Sequence, residues 1–464
     1  MESPGLRRRR AGALSTLVTG VVLALAATLA VVEPSGAAPS VASVASAPAT
    51  ASTGASAGRA PDRYVPPVGA KFNHWNIRKM RYTIRRHVLR SVNSTPSGGT
   101  IRWMVFSFGD WKMYQALVRA KQRGVSVQVL GNYKNRETWA PWRKLQASLG
   151  TKKTRAGRNP ERLSWARQCT RSCRGWGGNL HTKLFLFSQV GTARNVTMFG
   201  SWNPTWVANE RQWNHMDTRH DAETYQRYLD IFRQAKRDRP YGYARWASDG
   251  MDHMVFPKPG TRAGNDPVND QLAKVTCGGT GTTPRTVVRI GMFVFGGSRG
   301  TWMAKRIRTL WNQGCDVAIV YGFASERALS ILYSRSGRGR IPMKQAVKYE
   351  NGKPYRYFHD KFVAVRGVYD GVPRSSVVWA GSTNFSNLGL SSDDLTVRTA
   401  SPLPLAASLV DAYFRDFRVT WNGRDTRRPR AGVANPEQRA SGVRLSQRLP
   451  TPLGQGLFSE VEAD

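Results

Sequence analysis

Acidic residues, cysteine and histidine are all scarce in this sequence of 464 residues. Aspartate and glutamate total 30 against 70 lysines and arginines, which gives a net charge of +40. Such a chain concentrates polyanions around itself, so we expect its partner to be anionic, phosphate-containing material. Only one segment, at the very start, is apolar enough to concern a membrane. Hydrophobic residues still make up 40% of the chain, which excludes disorder throughout and predicts more than one domain's worth of core.

The four cysteines and seven histidines also narrow the kind of site that can be present. No CxxC pair and no histidine cluster has the spacing of zinc ligands, which argues against a metal centre. Of the three possible pairings we expect two local disulfides, Cys169 with Cys173 and Cys277 with Cys315. These bridges would be structural, and they fit an exported protein.

The N-terminal segment predicts secretion. Arg7–Arg10 precede an apolar stretch from Leu17 to Val32, and the small residues Ser35–Ala37 follow. This is the layout of a signal peptide, so we expect residues 1–37 to be cleaved and the protein to be extracellular. An uncleaved membrane anchor is the alternative, although the stretch is short for a spanning helix. Residues 38–63 are rich in alanine and serine and predict a flexible linker.

Two parts of the chain share the same order of strand, helix and strand. The segments are Thr100–Phe106, Trp111–Arg123 and Val125–Gly131 in the first part, and Val287–Phe293, Trp302–Trp311 and Cys315–Gly322 in the second. A glycine follows each helix, as is typical of parallel βαβ units. We therefore predict an α/β fold of two duplicated halves, 64–260 and 261–423, packed about a pseudo-twofold axis. Each half would be a mixed, mostly parallel sheet flanked by helices, and the basic segment 424–464 a disordered tail.

Each half then carries the same short string, a histidine, any residue and a lysine, followed after two strands by Gly-Ser-x-Asn. Residues i and i+2 of a strand face the same side, so each histidine projects together with its lysine, and the later turn brings serine and asparagine to the same end. Convergence of the two halves would surround a tetrahedral phosphate with cations and amide donors, leaving one imidazole to attack and one to protonate. The six side chains are His181, Lys183, Asn203, His359, Lys361 and Asn384.

The paired HxK…GSxN strings resemble the phospholipase D superfamily in its single-chain form with two motif copies, over residues 64–421. The resemblance implies a phosphohistidine intermediate on a phosphodiester, without a metal or other cofactor, resolved by water or another alcohol. It also implies that the two lysines neutralise the non-bridging oxygens and that the two asparagines donate hydrogen bonds. By similarity to secreted bacterial phospholipases D, His181 would be the nucleophile and His359 the general acid.

The chain departs from the family pattern at two kinds of position. The aspartate expected five residues after each motif lysine is replaced by Ser188 and Arg366, at the far end of the strand from the phosphate. The carboxylate that usually orients each histidine is present as Asp394 in the second half, whereas the first half offers Asn214 or, less well aligned, Asp217. With Ser201 and Ser382 as supporting residues, we expect the neutral Asn214 to hold His181 as the neutral nucleophile, and Asp394 to hold His359 as the charged acid.

The substrate stays open between two kinds of phosphodiester. Basic clusters at 78–90, 152–174 and 424–430, with interleaved tryptophans, fit a bilayer interface or base stacking. We predict first a monomeric phospholipase D acting at a phospholipid membrane surface, second a nuclease binding nucleic acid, and third a non-catalytic polyanion binder. The tryptophans are Trp165, Trp176, Trp202, Trp206 and Trp213, and the histidines given no role are His74, His87, His215, His220 and His253.

Overall fold

The structure, a computed structural model, describes residues 64–133, 140–278, 285–351 and 353–429. The predicted signal peptide, the linker at 38–63 and the tail from residue 430 onward lie outside the described residues. Among the residues described, no helix combines the length and the hydropathy needed to cross a membrane.

The first half is built on one mixed sheet. Its strands are β1 (Gly69–Asn73), β2 (Thr100–Val105), β3 (Ser126–Gly131), β4 (Trp165–Gln168), β5 (Leu184–Val190), β6 (Ala193–Gly200) and β7 (Gln212–His220). They lie in the order β4-β3-β2-β5-β6-β7-β1. The pairs among β4, β3 and β2 are parallel, and every later pair in that order is antiparallel.

The second half is built on a sheet with the same order of parallel and antiparallel pairs. Its strands are β8 (Ala244–Ser248), β9 (Met251–Val255), β10 (Val275–Thr276), β11 (Val287–Phe295), β12 (Asp316–Ala324), β13 (Met343–Glu350), β14 (Lys353–Phe358), β15 (Lys361–Tyr369), β16 (Val372–Gly381), β17 (Leu395–Ala400) and β18 (Thr426–Arg427). The order is β13-β12-β11-β15-β16-β17-β9, with β8 beside β9, β18 beside β13 and β10 beside the end of β15. Strand β14 pairs with β13 and, in parallel, with β7 of the first sheet, so hydrogen bonds join the two halves.

The predicted mixed α/β fold is confirmed. The parallel pairs are confined to three strands at one side of each sheet, because strands joined by tight turns, such as β5–β6 and β15–β16, must pair antiparallel. Regular structure continues past the predicted boundary at residue 423, since β18 adds to the second sheet.

Helices cover both faces of each sheet. They are α1 (Thr83–Asn93), α2 (Trp111–Gln122), α3 (Ala140–Leu149), α4 (Trp206–Glu210), α5 (Ala222–Lys236), α6 (Pro267–Leu272), α7 (Gly297–Asn312), α8 (Glu326–Tyr333), α9 (Leu388–Ser391) and α10 (Pro404–Trp421). Alternate residues of a strand face opposite sides, so Trp103 packs with α1–α3 whereas its neighbour Met104 packs with α5. The second sheet is covered by α7 and α8 on one face and by α10 on the other.

Both predicted disulfides are present. Cys169 is bonded to Cys173, and Cys277 to Cys315. The first bridge closes a short loop that leads to His181, and the second ties the end of β10 to the start of β12. Each bridge stays within its own half, as the sequence predicts.

Candidate active site

The two histidine–lysine pairs lie at strand ends in the interior of the protein. His181 and Lys183 come directly before β5, and His359 lies between β14 and β15, whose first residue is Lys361. At most 2% of any of these four side chains is exposed. Each ammonium group turns back onto its own histidine, with Nζ donating to the histidine carbonyl oxygen at 2.7 Å in both halves. Each histidine therefore has its lysine beside it.

Glycine opens each Gly-Ser-x-Asn turn because a neighbouring strand passes too close for any side chain. A Cβ on Gly200 would overlap the carbonyl oxygen of His215, and a Cβ on Gly381 would overlap that of Leu395. This close approach lets the serine backbone join the next strand, where Ser201 N donates to the His215 oxygen at 3.1 Å.

The residue that holds each imidazole comes from the opposite half. Nδ1 of His181 lies 2.9 Å from Oδ2 of Asp394, and Nδ1 of His359 lies 2.7 Å from Oδ1 of Asn214. The expectation that each orienting residue serves the histidine of its own half is therefore wrong. Asn214 holds His359, and Asp394 holds His181.

Strand register between the halves explains this exchange. Leu180 forms a parallel bridge with Asp393, so the next residue of each segment, His181 in one and Asp394 in the other, lies beside its counterpart. In the same way Phe358 of β14 pairs in parallel with Trp213 of β7, which places His359 beside Asn214. The pairing depends on contacts between segments far apart in the chain.

The motif serines hold the orienting residues of their own half. Ser382 Oγ donates to Oδ1 of Asp394, and Ser201 Oγ donates to Oδ1 of Asn214 at 3.1 Å. The amide group of Asn214 donates in turn to the Ala208 carbonyl oxygen at 3.3 Å. An amide suits this position because it can accept from the serine and the imidazole on one side and donate to a carbonyl on the other.

The two motif asparagines are fully buried and keep unused donors. Oδ1 of Asn203 accepts from the Ser107 amide at 3.2 Å. Within the described part of the chain, Nδ2 of Asn203 and both amide atoms of Asn384 have no hydrogen-bond partner. A buried donor left unpaired costs about 1–3 kcal/mol, so these groups are set to receive the oxygen atoms of a ligand.

Each histidine also packs against a phenylalanine that the sequence reasoning missed. The ring of Phe106 lies 5.3 Å from that of His181, and the ring of Phe293 lies 4.7 Å from that of His359. Both phenylalanines belong to the equivalent first strand–helix–strand unit of their halves: Phe106 follows β2 directly, and Phe293 lies near the end of β11. Their equivalent positions in the two halves were the signal that could have revealed them.

Part of the chain matches a known protein family. Residues 93–236 match the family described as "Cardiolipin synthase, PLD-like domain", a range that contains the first His–Lys string and its Gly-Ser-x-Asn turn. This part of the chain is therefore similar to phospholipase D-like domains. The similarity supports phosphodiesterase or phosphotransferase chemistry on phosphate-containing substrates. No curated protein matches the chain.

Solved structures with a similar arrangement include a phospholipase D family member and two other enzymes. Phosphatidylserine synthase from Haemophilus influenzae Rd KW20 has a TM-score of 0.50 at 12% identity, over 82% of this chain and 94% of that one. Nuc from Salmonella typhimurium, a phospholipase D family member, has a TM-score of 0.27 at 19% identity, over 38% of this chain and 96% of that one. Polyphosphate kinase from Porphyromonas gingivalis has a TM-score of 0.48 at 10% identity, over 78% of this chain and 52% of that one. At these identities the likeness concerns the fold.

The two positions at which the sequence departs from the motif aspartate of the resembled family have partners other than the two histidines. Ser188 Oγ accepts from the Thr100 amide at 2.9 Å, and Arg366 pairs with Asp411 at 2.7 Å on the surface. Asp217, the second candidate for orienting a histidine, instead accepts from the Tyr413 hydroxyl at 3.1 Å. These contacts are structural and lie away from the paired imidazoles.

A second histidine–carboxylate pair lies behind His359. Asp360 accepts from Nδ1 of His215, and both side chains are buried. Burial alone would lower the pKa of His215, but the Asp360 carboxylate, helped by Asp217, raises it. His215 therefore has a structural partner that the sequence reasoning did not assign, and this partner, Asp360, is the residue next to His359 in the chain.

Asp393 connects the first disulfide loop to His181. Its carbonyl oxygen accepts from the amides of His181 at 2.9 Å and Thr182 at 2.8 Å, while its carboxylate accepts from the Arg174 amide at 3.0 Å. Burial raises the pKa of Asp393 to about 6, against the opposing effect of Arg174. The backbone position of His181 thus depends on a buried carboxylate that is costly to ionise.

The tryptophans noted in the sequence fall into two groups. Trp165, Trp202 and Trp213 are buried in the core, which excludes them from any contact surface, whereas Trp176 and Trp206 are exposed. Three of the remaining histidines are buried with polar partners: His74 with Asp416, His87 with Thr218 and His253 with Tyr228. Among the described residues, no group of three or more histidine, cysteine or acidic side chains is arranged to hold a metal ion.

Proposed function

We propose that this protein is an exported phosphodiesterase that cleaves phospholipid head groups through a phosphohistidine intermediate. One observation carries the proposal: two buried imidazoles are each held at Nδ1 by an acceptor from the opposite half, with a lysine beside each. Fixing Nδ1 leaves Nε2 as the reactive atom of both rings. The phosphate oxygens would then accept hydrogen bonds from the unpaired amide donors of Asn203 and Asn384 and from the two ammonium groups.

His181 is the nucleophile in this proposal. Its Nε2 forms a bond to phosphorus while the bond from phosphorus to the departing alcohol oxygen breaks. Phosphorylation at Nε2 makes the ring cationic if Nδ1 keeps its proton, and the Asp394 carboxylate at 2.9 Å stabilises that charge. The resemblance implies the same assignment. The sequence suggested it because a neutral Asn214 was expected beside His181, whereas the assignment now depends on the carboxylate of Asp394 beside that ring.

His359 is the general acid and then the general base. It gives its Nε2 proton to the leaving oxygen, and in the second half of the reaction it takes a proton from water, whose oxygen attacks phosphorus and releases His181. The neutral Asn214 stabilises imidazolium less than a carboxylate would, which makes protonated His359 a better donor. Without substrate, Lys361 Nζ lies 2.9 Å from Nε2 of His359, and a phosphate oxygen would draw the ammonium group away.

Phospholipid is the substrate that we propose, and nucleic acid is the alternative. Both motif copies lie in one chain, and the matching family is described by a lipid-synthesising enzyme, which favours a lipid. The net charge of +40 favours a nuclease instead, since backbone contacts to nucleic acid depend on lysine and arginine. Export rests on the N-terminal pattern and is supported by two disulfides that use all four cysteines.

The test offers both substrates to the purified protein in the presence of EDTA. Phosphatidylcholine vesicles in one reaction and plasmid in another separate the two activities, with choline release and strand nicking as the measurements. We expect choline release that is lost in both His181→Ala and His359→Ala. Nicking without choline release would establish the nuclease, and salt-sensitive DNA binding without either activity would leave a polyanion-binding protein.

A further inference from the structure

Four exposed aromatic side chains surround the edge of the first sheet at which His181 lies. Their exposed fractions are 49% for Trp111, 41% for Tyr133, 65% for Trp176 and 39% for Trp206. We call these four residues the aromatic rim. The other large apolar side chains that are exposed among the described residues are all valines, so exposed aromatic surface is concentrated in the rim.

Sheet topology places the rim residues at one edge. Strands β2, β3 and β6 run in the same direction and end at this edge, where β5 begins. Trp111, Tyr133 and Trp206 follow the ends of β2, β3 and β6, and Trp176 precedes β5 in the loop that leads to His181. The rim therefore belongs to the same end of the first half as the histidine–lysine pair.

Hydrogen bonds tie the loops of the rim to one another. The amides of Gly109 and Asp110 both donate to the Pro204 carbonyl oxygen at 2.9 Å, which joins the loop before Trp111 to the loop before Trp206. Oδ1 of Asn132, next to Tyr133, accepts from the Leu180 amide at 3.2 Å, which joins it to the loop of Trp176. The four rim loops are thus joined in two pairs.

Within the described loops at this edge, the exposed charge has one sign. Residues 106–112, 132–133, 169–183 and 201–206 contain one acidic residue, Asp110, which is 3% exposed and caps α2. The exposed charged side chains in these loops are the cations Lys112 and Arg171. In the described residues of these loops, aromatic rings and cations are exposed and carboxylates are not, which is complementary to an anionic, amphipathic surface.

We propose that the aromatic rim docks on the interface of an anionic phospholipid bilayer. The inference rests on the proposed phospholipase function, because docking there would bring the end of the sheet at which His181 lies to the substrate. Tryptophan and tyrosine rings are favoured at head-group depth, where the apolar ring body and the polar N–H or O–H are both accommodated. Lys112 and Arg171 lie beside the rings and meet lipid phosphates.

A bilayer fits the rim better than single-stranded nucleic acid. Base stacking needs open ring faces, yet one face of Trp206 is covered by the Arg211 guanidinium, whose centre lies 4.4 Å from the ring centroid. The rings of Trp111 and Tyr114 pack edge to face, with their centroids 5.7 Å apart. Insertion of ring edges at an interface requires no open face.

Vesicle co-sedimentation tests the proposal on the full chain. The probe is vesicles of equimolar phosphatidylcholine and phosphatidylglycerol, and the protein carries His181→Ala so that lipid is not consumed. On that background we expect Trp111→Ala with Trp176→Ala to weaken binding at least about tenfold. The matched control is Val372→Ala with Val419→Ala, which also removes exposed apolar surface; Val372 begins β16 at the end opposite Gly381. We expect the control variant to bind vesicles as tightly as the His181→Ala protein. If the double rim variant unfolds at a lower temperature than its parent, Trp176→Ala alone is used.

Activity on a monomeric lipid separates failure of docking from failure of the proposed function. With His181 intact, the rim variants should cleave monomeric dihexanoylphosphatidylcholine at the normal rate and vesicles slowly. Equal vesicle binding by rim and control variants would overturn docking while monomer cleavage upholds the function. Rim-dependent vesicle binding by a protein that cleaves neither lipid form would uphold docking and overturn the function. Loss of binding to a single-stranded oligonucleotide in the rim variants, with vesicle binding unchanged, would assign the rim to nucleic acid instead.

Discussion

Nδ1 of His359 donates to the side-chain oxygen of Asn214, a residue of the other half, across 2.7 Å. The equivalent atom of His181 lies 2.9 Å from a carboxylate oxygen of Asp394. The two imidazoles are thus held in the same way but beside acceptors that differ by one negative charge. This difference supports the unequal roles that we propose for the two otherwise matching motif copies.

Asn214→Asp should move the pH profile on its basic side. A carboxylate stabilises the imidazolium form of His359, so this general acid keeps its proton to higher pH, and the basic limb of kcat/KM should shift upward. The new carboxylate also faces the Ala208 carbonyl oxygen, which should cost about 1–3 kcal/mol of stability. The position of the limb is therefore the measurement, and an unmoved basic limb would contradict the assignment of His359 as the acid.

Asp394→Asn should reduce the rate and shift the opposite limb. Without the carboxylate, the cationic phosphohistidine loses its stabilisation, and we expect kcat to fall about 10–100-fold. Free His181 also loses its proton more easily, so the acid limb of kcat/KM should move to lower pH. The pair of variants at positions 214 and 394 serves as its own control, since each should move one limb and leave the other in place.

An activated leaving group should distinguish the two histidines. Nitrophenolate departs without a proton, so His359→Ala should retain much more activity on a p-nitrophenyl phosphodiester than on a lipid. His181→Ala removes the nucleophile and should lose at least about a thousandfold on both substrates. Steady-state rates of the two variants on both substrates check this, and selective rescue of His181→Ala would reverse the roles.

Asp393 should make the protein less stable as the pH rises from about 4 to about 6. Burial raises the pKa of Asp393 from 3.8 to about 6, so the folded state binds this proton more tightly than the unfolded state. Its stabilising contribution is full below 3.8 and is lost as the pH passes through the folded value, a change on the order of 3 kcal/mol.

The measurement is the difference in free energy of unfolding between the wild type and Asp393→Asn across this range. Other carboxylates titrate equally in both proteins and cancel in the difference. We expect the wild type to lose stability relative to the variant as the pH rises. A difference that is constant from pH 4 to 7 would contradict the raised pKa.

The two disulfides should contribute unequally to stability. Cys277 and Cys315 are 38 positions apart in the chain, whereas Cys169 and Cys173 are four positions apart. Loop-closure entropy then predicts losses of about 4 and about 2 kcal/mol when each pair is replaced by alanine. Urea unfolding of the two double variants checks the order. Removal of the shorter bridge should in addition lower kcat, because its loop contacts Asp393, which holds the His181 amide.

Local structure could be predicted from the sequence where periodicity is strong. The helix predicted at Trp111–Arg123 is α2, and the strand after it is β3. The start of α7 was missed by five residues, because Gly297–Thr301 has no apolar periodicity and its glycines resemble a turn. The exposure of Trp176 and the burial of Trp202 likewise depend on which loops pack together, and no local pattern encodes that.

The site residues could be found from the repeated strings, whereas their partners could not. Asp394 and Asn214 were recognised as orienting groups from their position after the Gly-Ser-x-Asn turns. Which histidine each one holds depends on the bridge between Leu180 and Asp393 and on the pairing of Phe358 with Trp213. Such register between distant segments has no signature in the sequence, and the convergence of both imidazoles on one phosphate stays a prediction.

The exchange of acceptors between the halves also has consequences for expressing the halves separately and for substitutions in one motif copy. Either half expressed alone would contain an imidazole with nothing to fix its tautomer and an acceptor with nothing to hold. A substitution of the acceptor in one half acts on the imidazole of the other half, so the two motif copies cannot accumulate substitutions independently. Complementation between separately expressed halves would restore turnover only by rebuilding both bridges at once.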